Sequence, residues 1–389
     1  MARTQFAERL NGIGTSIFSE ITALAVQHGA VNLGQGFPDF PAPAFVKEAA
    51  ARHIAEDRNQ YAASSGVPRL RRALADDWRR RHPEAPVGDA DAEITVAAGA
   101  TELLHDALLA VVNPGDEVVL FEPAYDAYGP DIAMAGGIPR YIRLEGPAFT
   151  FDPGRLAAAF GPRTRALILN SPHNPTGKIF SRDELETIAQ LCRAHDVVVI
   201  SDEVYAEIYF DAAPVSIATL PGMRQRTITI ESMGKTFSVT GWKVGWAIAP
   251  APLSAALRAV HQFVTFTNAA PFQEALADVL PQAARDGFYD ELRGAYRRRR
   301  DRLARLLGDV GLQPLPVAGA YFLLADVAGR AGSDVEFCRR LITDAGVAAI
   351  PTSVFYQQPA GAPQLARFCF AKSDATIDLA AQRLRALAP

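Results

Sequence analysis

Cysteine is scarce in this chain of 389 residues: Cys192, Cys338 and Cys369 are an odd number with no CxxC pair among them. Such sparse, unpaired cysteines argue against a disulfide framework and a thiolate zinc site, and point to reduced, mostly buried thiols in a cytoplasmic protein. The seven histidines show no HExxH or comparable ligand spacing, so no metal chemistry is expected. No uninterrupted apolar run approaches the roughly twenty residues of a membrane span. The first ten residues, Met1 to Leu10, lack the apolar core of a secretion signal. Charge is nearly balanced, with 39 Lys and Arg against 43 Asp and Glu and a net charge of −4, so no general attraction to nucleic acid or to an anionic membrane is implied. Internal repeats and low-complexity tracts are also missing. The run Arg297–Arg300 lies in a helical pattern from Phe288 to Leu307, with Leu303, Leu306 and Leu307 at helical spacing, and reads as a solvated helix face.

What remains is the composition of a globular protein, 49% hydrophobic and 21% charged, long enough for roughly two or three domains. Continuous apolar, β-branched runs at Glu93–Ala97, Glu117–Phe121, Ala166–Asn170, Val197–Ser201 and Thr227–Ser232 alternate with amphipathic stretches such as Ser181–His195. This alternation predicts an α/β fold whose mostly parallel sheet is covered by helices on both faces. From about Gly311 the pattern changes. Strand-like Gly319–Ala325 and Leu365–Phe370 are interleaved with helical Asp334–Ala345 and Ala375–Leu387, which predicts a smaller α+β domain. The expected division is residues 1–40 as an N-terminal arm and part of the small domain, 41–290 as the large domain, and 291–389 as the small one.

The unusual polar residues recur just beyond the carboxyl ends of these strands, where open α/β sheets bind ligands. Gly99-Ala100-Thr101 follows the first strand and opens a helix, a ready cradle of backbone N–H groups for a phosphate, although such a turn is also an ordinary helix start. Ser171-Pro-His-Asn-Pro-Thr-Gly177 fixes Asn174; Asp202-Glu-Val-Tyr205 follows the next strand; Ser232-Met-Gly-Lys235 follows the one after, with Lys243 eight residues on. An Asp at a strand end can be a helix cap, and a lone Lys there surface charge. Together they supply an amine, an anion for a pyridine nitrogen and a phosphate cradle, which is the set a pyridoxal 5′-phosphate (PLP) enzyme needs.

With SPHNPTG, SDEVY, GKTFSVTGWKVGW and RFCFAK in that order and spacing, the sequence resembles the fold-type-I PLP-dependent aminotransferases, and within them the kynurenine/glutamine/methionine branch. The resemblance runs from Val31-Asn-Leu-Gly-Gln-Gly-Phe-Pro-Asp39 to Arg367-Phe-Cys-Phe370. It implies catalytic roles for Lys235, the Schiff-base lysine and proton shuttle, for Asp202 at the pyridine nitrogen and for Tyr205, which with Asn174 bonds the phenolate oxygen. Ser232, Lys243 and Gly99-Ala100-Thr101 would hold the phosphate, with Tyr61 reaching it from a neighbouring subunit. Tyr125 would stack on the ring; a core aromatic is its alternative reading. Arg367, odd as a buried charge in an apolar strand, matches the residue that grips the substrate α-carboxylate, helped by Asn174 and the Gly36 N–H. Phe18 and, from the partner, Phe266 would line the side-chain pocket. No metal is implied.

These matches imply a homodimer with shared sites acting on a small amino acid and a 2-oxo acid by ping-pong chemistry, with no nucleic-acid or membrane partner. A dry aromatic pocket favours uncharged donors (methionine, glutamine and aromatic amino acids, kynurenine included) over aspartate. β-Elimination from cysteine S-conjugates at the same site and transamination of N-succinyl-diaminopimelate are the alternatives. A PLP-sensing regulator is disfavoured because only about thirty residues precede the Gly-Gln-Gly-Phe-Pro motif.

Overall fold

A computed structural model of the chain describes residues 7–10, 14 and 16–385. Seven strands form the central sheet: β1 (Ile94–Ala97), β2 (Glu117–Glu122), β3 (Ile138–Arg143), β4 (Thr164–Asn170), β5 (Val198–Asp202), β6 (Thr227–Ser232) and β7 (Gly245–Ile248). Their spatial order is β1-β7-β6-β5-β4-β2-β3, and every pairing is parallel except the two that β7 makes.

Both faces of the sheet are buried, and the two-residue period of the strands divides their side chains between two cores. Val118, Leu120, Ala166, Ile168 and Ile200 pack with Leu103, Leu104 and Leu108 of the helix Ala100–Val111 on one side. Val119, Phe121, Leu167, Leu169 and Val199 pack with Leu185 and Ile188 of the helix Arg182–Ala194 on the other. That second helix opens on a capping box in which Ser181 and Glu184 bond each other's backbone N–H.

Two strands were absent from the sequence expectation. β3 is an edge strand whose residues are mostly exposed or half-buried, with only Ile142 buried, and contains Pro139; β7 is short, reversed and starts inside the Lys243–Trp246 motif. Glu93 belongs to a short helical turn, Ala90–Glu93, rather than to β1.

A second sheet is antiparallel, in the order β10-β11-β9-β8, made of β8 (Gln313–Pro314), β9 (Phe322–Asp326), β10 (Ile350–Pro351) and β11 (Leu365–Cys369). Helices Asp334–Ala345 and Asp374–Leu384 complete its core; Leu387, to which the sequence reading carried the last helix, lies outside the described residues. The N-terminal helix Ile17–Gln27 buries Ile21 and Ala25 in the same core, and Val31–Asn32 pairs parallel with Val347–Ala348. The fold is thus a large α/β domain with a smaller α+β one. The helix Phe288–Asp309 joins them, burying Tyr289 in the large core and Tyr296, Leu303 and Leu307 in the small one. The arginine run on this helix is not uniformly solvated. Arg297 and Arg298 are exposed, whereas Arg299 lies 4.1 Å over the Phe40 ring and Arg300 4.4 Å over Phe210.

Candidate active site

Five parallel strands deliver polar residues to one end of the sheet. Ala97 leads to Gly99, Glu122 to Tyr125, Asn170 to Asn174, Asp202 to Tyr205 and Ser232 to Lys235. Reversed β7 starts at this same end, pairing Gly245 with both Ser232 and Ala97, and brings Lys243 in from the side. Between this edge and the second sheet lies a cavity of about 250 Å³. Its walls include Phe18, Gly36, Gly99, Ala100, Thr101, Tyr125, Asn174, Asp202, Tyr205, Ser232, Lys235, Lys243 and Arg367, every residue expected there from the same chain. Tyr61 and Phe266 are elsewhere on the surface, 84% and 47% exposed, with their rings in edge contact at 5.6 Å.

At the floor, Lys235 sits in a single helical turn, Met233–Thr236, rather than in an open loop. Burial, opposed mainly by Asp202, lowers its pKa to about 8. Asp202, the last residue of β5, is buried, accepts a hydrogen bond from the Tyr128 hydroxyl at 2.7 Å and another from the Val204 N–H at 3.3 Å. Burial raises its pKa against those bonds and against Lys235, so the site holds a carboxylate short of positive charge. Tyr205 is buried with its ring edge-on to Tyr321, and burial raises its pKa. Asn170 stitches two of the loops together: its amide donates to the Asp202 carbonyl (2.9 Å) and accepts from the Asn174 N–H (2.7 Å). Tyr128 and Asn170 escaped the sequence reading. The signal for Tyr128 was its spacing of three from Tyr125, and for Asn170 a polar residue ending an otherwise apolar strand.

Across the cavity, Arg367 on β11 is 1% exposed. Its Nη1 donates to Asn174 Oδ1 (2.8 Å) and Nη2 to the Gly34 carbonyl (3.0 Å), while its guanidinium lies 4.1 Å from the Phe322 ring and 5.0 Å from Phe18. Neither bonded oxygen is anionic, and Nε has no hydrogen-bond partner among the described residues. A buried, incompletely satisfied guanidinium of this kind is chemically suited to receive a carboxylate.

PLP, which the sequence resemblance implies, fits these residues. Its phosphate needs a cradle that side chains leave open, and Gly99 provides one. It begins the helix Ala100–Val111 at φ +86°, and a Cβ there would come within 3.2 Å of Lys243 Nζ. Gly245 permits the close approach, since a Cβ on it would lie 2.6 Å from the Gly99 carbonyl carbon. The buried carboxylate of Asp202 suits a pyridinium, and Lys235 supplies an amine of lowered basicity.

One cluster was invisible in the sequence. Glu102 and Asp106 of the helix Ala100–Val111 gather with His261, one ligand-type atom of each lying within 4.8 Å of the others. His261 Nδ1 is 2.8 Å from Glu102 Oε1, a hydrogen-bond distance.

Comparison with known proteins agrees with this geometry. Residues 28–384 match the family model described as aminotransferase class I and II. The chain is 45% identical to the methionine aminotransferase of Escherichia coli K12, over 97% of each chain. It is 45% identical to a probable N-succinyldiaminopimelate aminotransferase of Mycobacterium tuberculosis, over 98% of each. A solved Escherichia coli structure in which a methionine aminotransferase function was identified superposes with a TM-score of 0.94 at 44% identity, covering 98% of this chain and 99% of the other. The chain belongs to the class I and II aminotransferases.

Proposed function

We propose that this aminotransferase takes the amino group of an uncharged L-amino acid (methionine, glutamine or an aromatic one, kynurenine included) and passes it to a 2-oxo acid by ping-pong chemistry. The family is PLP-dependent and acts on amino acids and 2-oxo acids; the choice of donor is the proposal. It rests on the charges lining the cavity, where the cations among the described residues are Lys235, Lys243 and Arg367. Each has a task in the common chemistry, so none is left for a second substrate carboxylate, which would lose its hydration uncompensated. The rings beside Arg367 in the cavity wall are instead Phe18 and Phe322, and Phe37 also lines the cavity.

Bound in this cavity, PLP supplies the electron sink that allows the Cα–H bond to ionise. Arg367, aided by the Asn174 amide and the Gly36 N–H, would hold the α-carboxylate and so aim Cα at Lys235, whose amine would take the Cα proton and carry it within the site. Asp202, kept in place by Tyr128, would hold the cofactor's ring nitrogen in its protonated form. Tyr205 and Asn174 would bond the phenolate oxygen, Tyr125 would stack on the ring, and Ser232, Lys243 and Gly99-Ala100-Thr101 would hold the phosphate. In a homodimer Tyr61 completes the partner's phosphate site and Phe266 its side-chain pocket; their exposure, beside Phe263 at 86%, supports a shared interface. The three buried, unpaired cysteines suit a cytoplasmic setting. Residues 1–40 are read as arm and part of the small domain, 41–290 as the large domain and 291–389 as the small domain.

The relative named for N-succinyldiaminopimelate, equal in identity to the methionine aminotransferase, favours a second reading. The test is kcat/KM for each donor at fixed acceptor. Methionine, glutamine and aromatic donors are expected to exceed aspartate and N-succinyl-diaminopimelate. If either of these last two came out best, the assignment of donor class would be wrong while the chemistry stood.

A further inference from the structure

The helix Ala251–Val264 carries a fully buried histidine, His261, whose polar atoms reach three separate parts of the proposed cofactor site. Its Nε2 lies 2.9 Å from the Ser64 carbonyl, three residues beyond Tyr61. Its Nδ1 lies 2.8 Å from Glu102 Oε1 in the first turn of the phosphate helix, and 3.6 Å from Asp106 Oδ2 one turn on. Its own carbonyl accepts the N–H groups of Thr265 (3.2 Å) and Phe266 (3.0 Å), closing the turn that sets Phe266 at φ +68°. Glu102 extends the network, accepting from the Ala98 N–H just ahead of Gly99 and from the Thr265 hydroxyl.

Both ring nitrogens of His261 face oxygens that accept but cannot donate, a carbonyl on one side and carboxylates on the other. A neutral imidazole offers a single N–H and would leave one of these contacts repulsive; an imidazolium satisfies both. Asp106 is fully buried with no hydrogen-bond partner to either oxygen among the described residues; burial and Glu102 raise its pKa, and the ring beside it is the cation that opposes this and favours its charged form. We propose that His261 is a positioning residue, held as an imidazolium by Glu102 and Asp106, that braces the phosphate-binding turn of its own subunit together with the Tyr61 segment and Phe266, the two aromatic groups offered to the partner. Burial works against this charge, but the two carboxylates prevail and raise the pKa to about 9. A divalent ion in place of the proton is disfavoured by the 2.8 Å separation, which is short for two ligands each about 2.0–2.2 Å from a metal.

The inference rests on the proposed phosphate site, and the test separates the two. The PLP dissociation constant is measured by dialysis and fluorescence for wild type, His261→Asn and Asp106→Asn from pH 7 to 10. Taking the ratio of variant to wild type removes the shared titration of Lys235. For His261→Asn the ratio is expected to be tenfold or more at pH 7 and to approach one by pH 10, as the wild-type ring also loses its proton. Asp106→Asn, which keeps shape but removes one counter-charge, should make affinity fall at a lower pH than in wild type. A ratio near one at pH 7, or one that stays constant with pH, would show His261 to be packing alone, as would an Asp106→Asn profile parallel to wild type. Failure of the underlying site assignment looks different: wild-type affinity would then be indifferent to Lys243→Ala and Gly99→Ala.

Discussion

At the scale of single residues, the cavity gathers buried ionisable groups whose counter-charges within the chain are incomplete. Lys235 is the clearest case. Its amine titrates near 8 in the fold against about 10.5 when unfolded, so the unfolded chain binds the extra proton between those values. The penalty is complete below pH 8 and fades as pH rises to 10.5. In the cofactor-free protein, Lys235→Met should therefore be more stable than wild type at pH 7, by up to about 3 kcal/mol, with the gain vanishing above pH 10; denaturant melts across that range check it. Asp202→Ala should slow Cα deprotonation by orders of magnitude in single turnovers. Tyr128→Phe, which removes only the 2.7 Å bond to Asp202, should cost roughly tenfold, the worth of one hydrogen bond to a charged group. A wild-type rate for Asp202→Ala would leave it a mere strand-end cap. Lys235, Asp202, Asn174, Tyr205 and Arg367 were legible in the sequence because each is polar chemistry set against an apolar strand. Tyr128 and His261 were not, since an aromatic or a lone histidine in a helix has the same appearance whether it packs or holds a neighbour's charge.

At the scale of elements, the five parallel strands found in the sequence are those almost wholly buried, whose runs of β-branched and apolar residues carry the signal themselves. β3, half exposed at the sheet edge and containing Pro139, lacks that run, and β7 has only four residues. Yet β7 does much to shape the site, because it seats Gly245 against Gly99 and leads out of Lys243. Two glycines there should respond differently to alanine. At Gly99 the new Cβ meets the movable Lys243 ammonium but must sit at φ +86° and ψ 172°, a region essentially reserved for glycine, at a strain of about 1–3 kcal/mol. At Gly245 it meets backbone at 2.6–2.8 Å, which cannot give way without moving the phosphate helix. Thermal melts are expected to show Gly245→Ala as the more destabilised, and PLP titration to show weaker binding in both; equal stability would mean that the packing of β7 on the helix start is looser than its contacts indicate.

At the scale of the whole molecule, the cavity lies between a sheet that supplies the proposed cofactor site and a smaller domain that supplies Arg367, while Tyr61 and Phe266 face outward. Mixing inactive Tyr61→Ala and Lys235→Ala subunits should restore partial activity after exchange, because one of the mixed sites is then intact. An active monomer by light scattering would refute the shared site. The two-domain plan was readable from the change of pattern near Gly311. The joining of the N-terminal helix to the small core was only anticipated, since a short amphipathic helix does not record which surface it will cover. The central claim, that the intact protein moves an amino group in two separable halves, has a direct test: methionine is added alone to PLP-loaded enzyme, and the 2-oxo acid and ammonia released are counted. The account predicts one equivalent of 2-oxo acid per subunit, no ammonia, and no further product until a second 2-oxo acid is supplied. Continuous ammonia release without an acceptor, or no 2-oxo acid from any amino acid given alone, would contradict it.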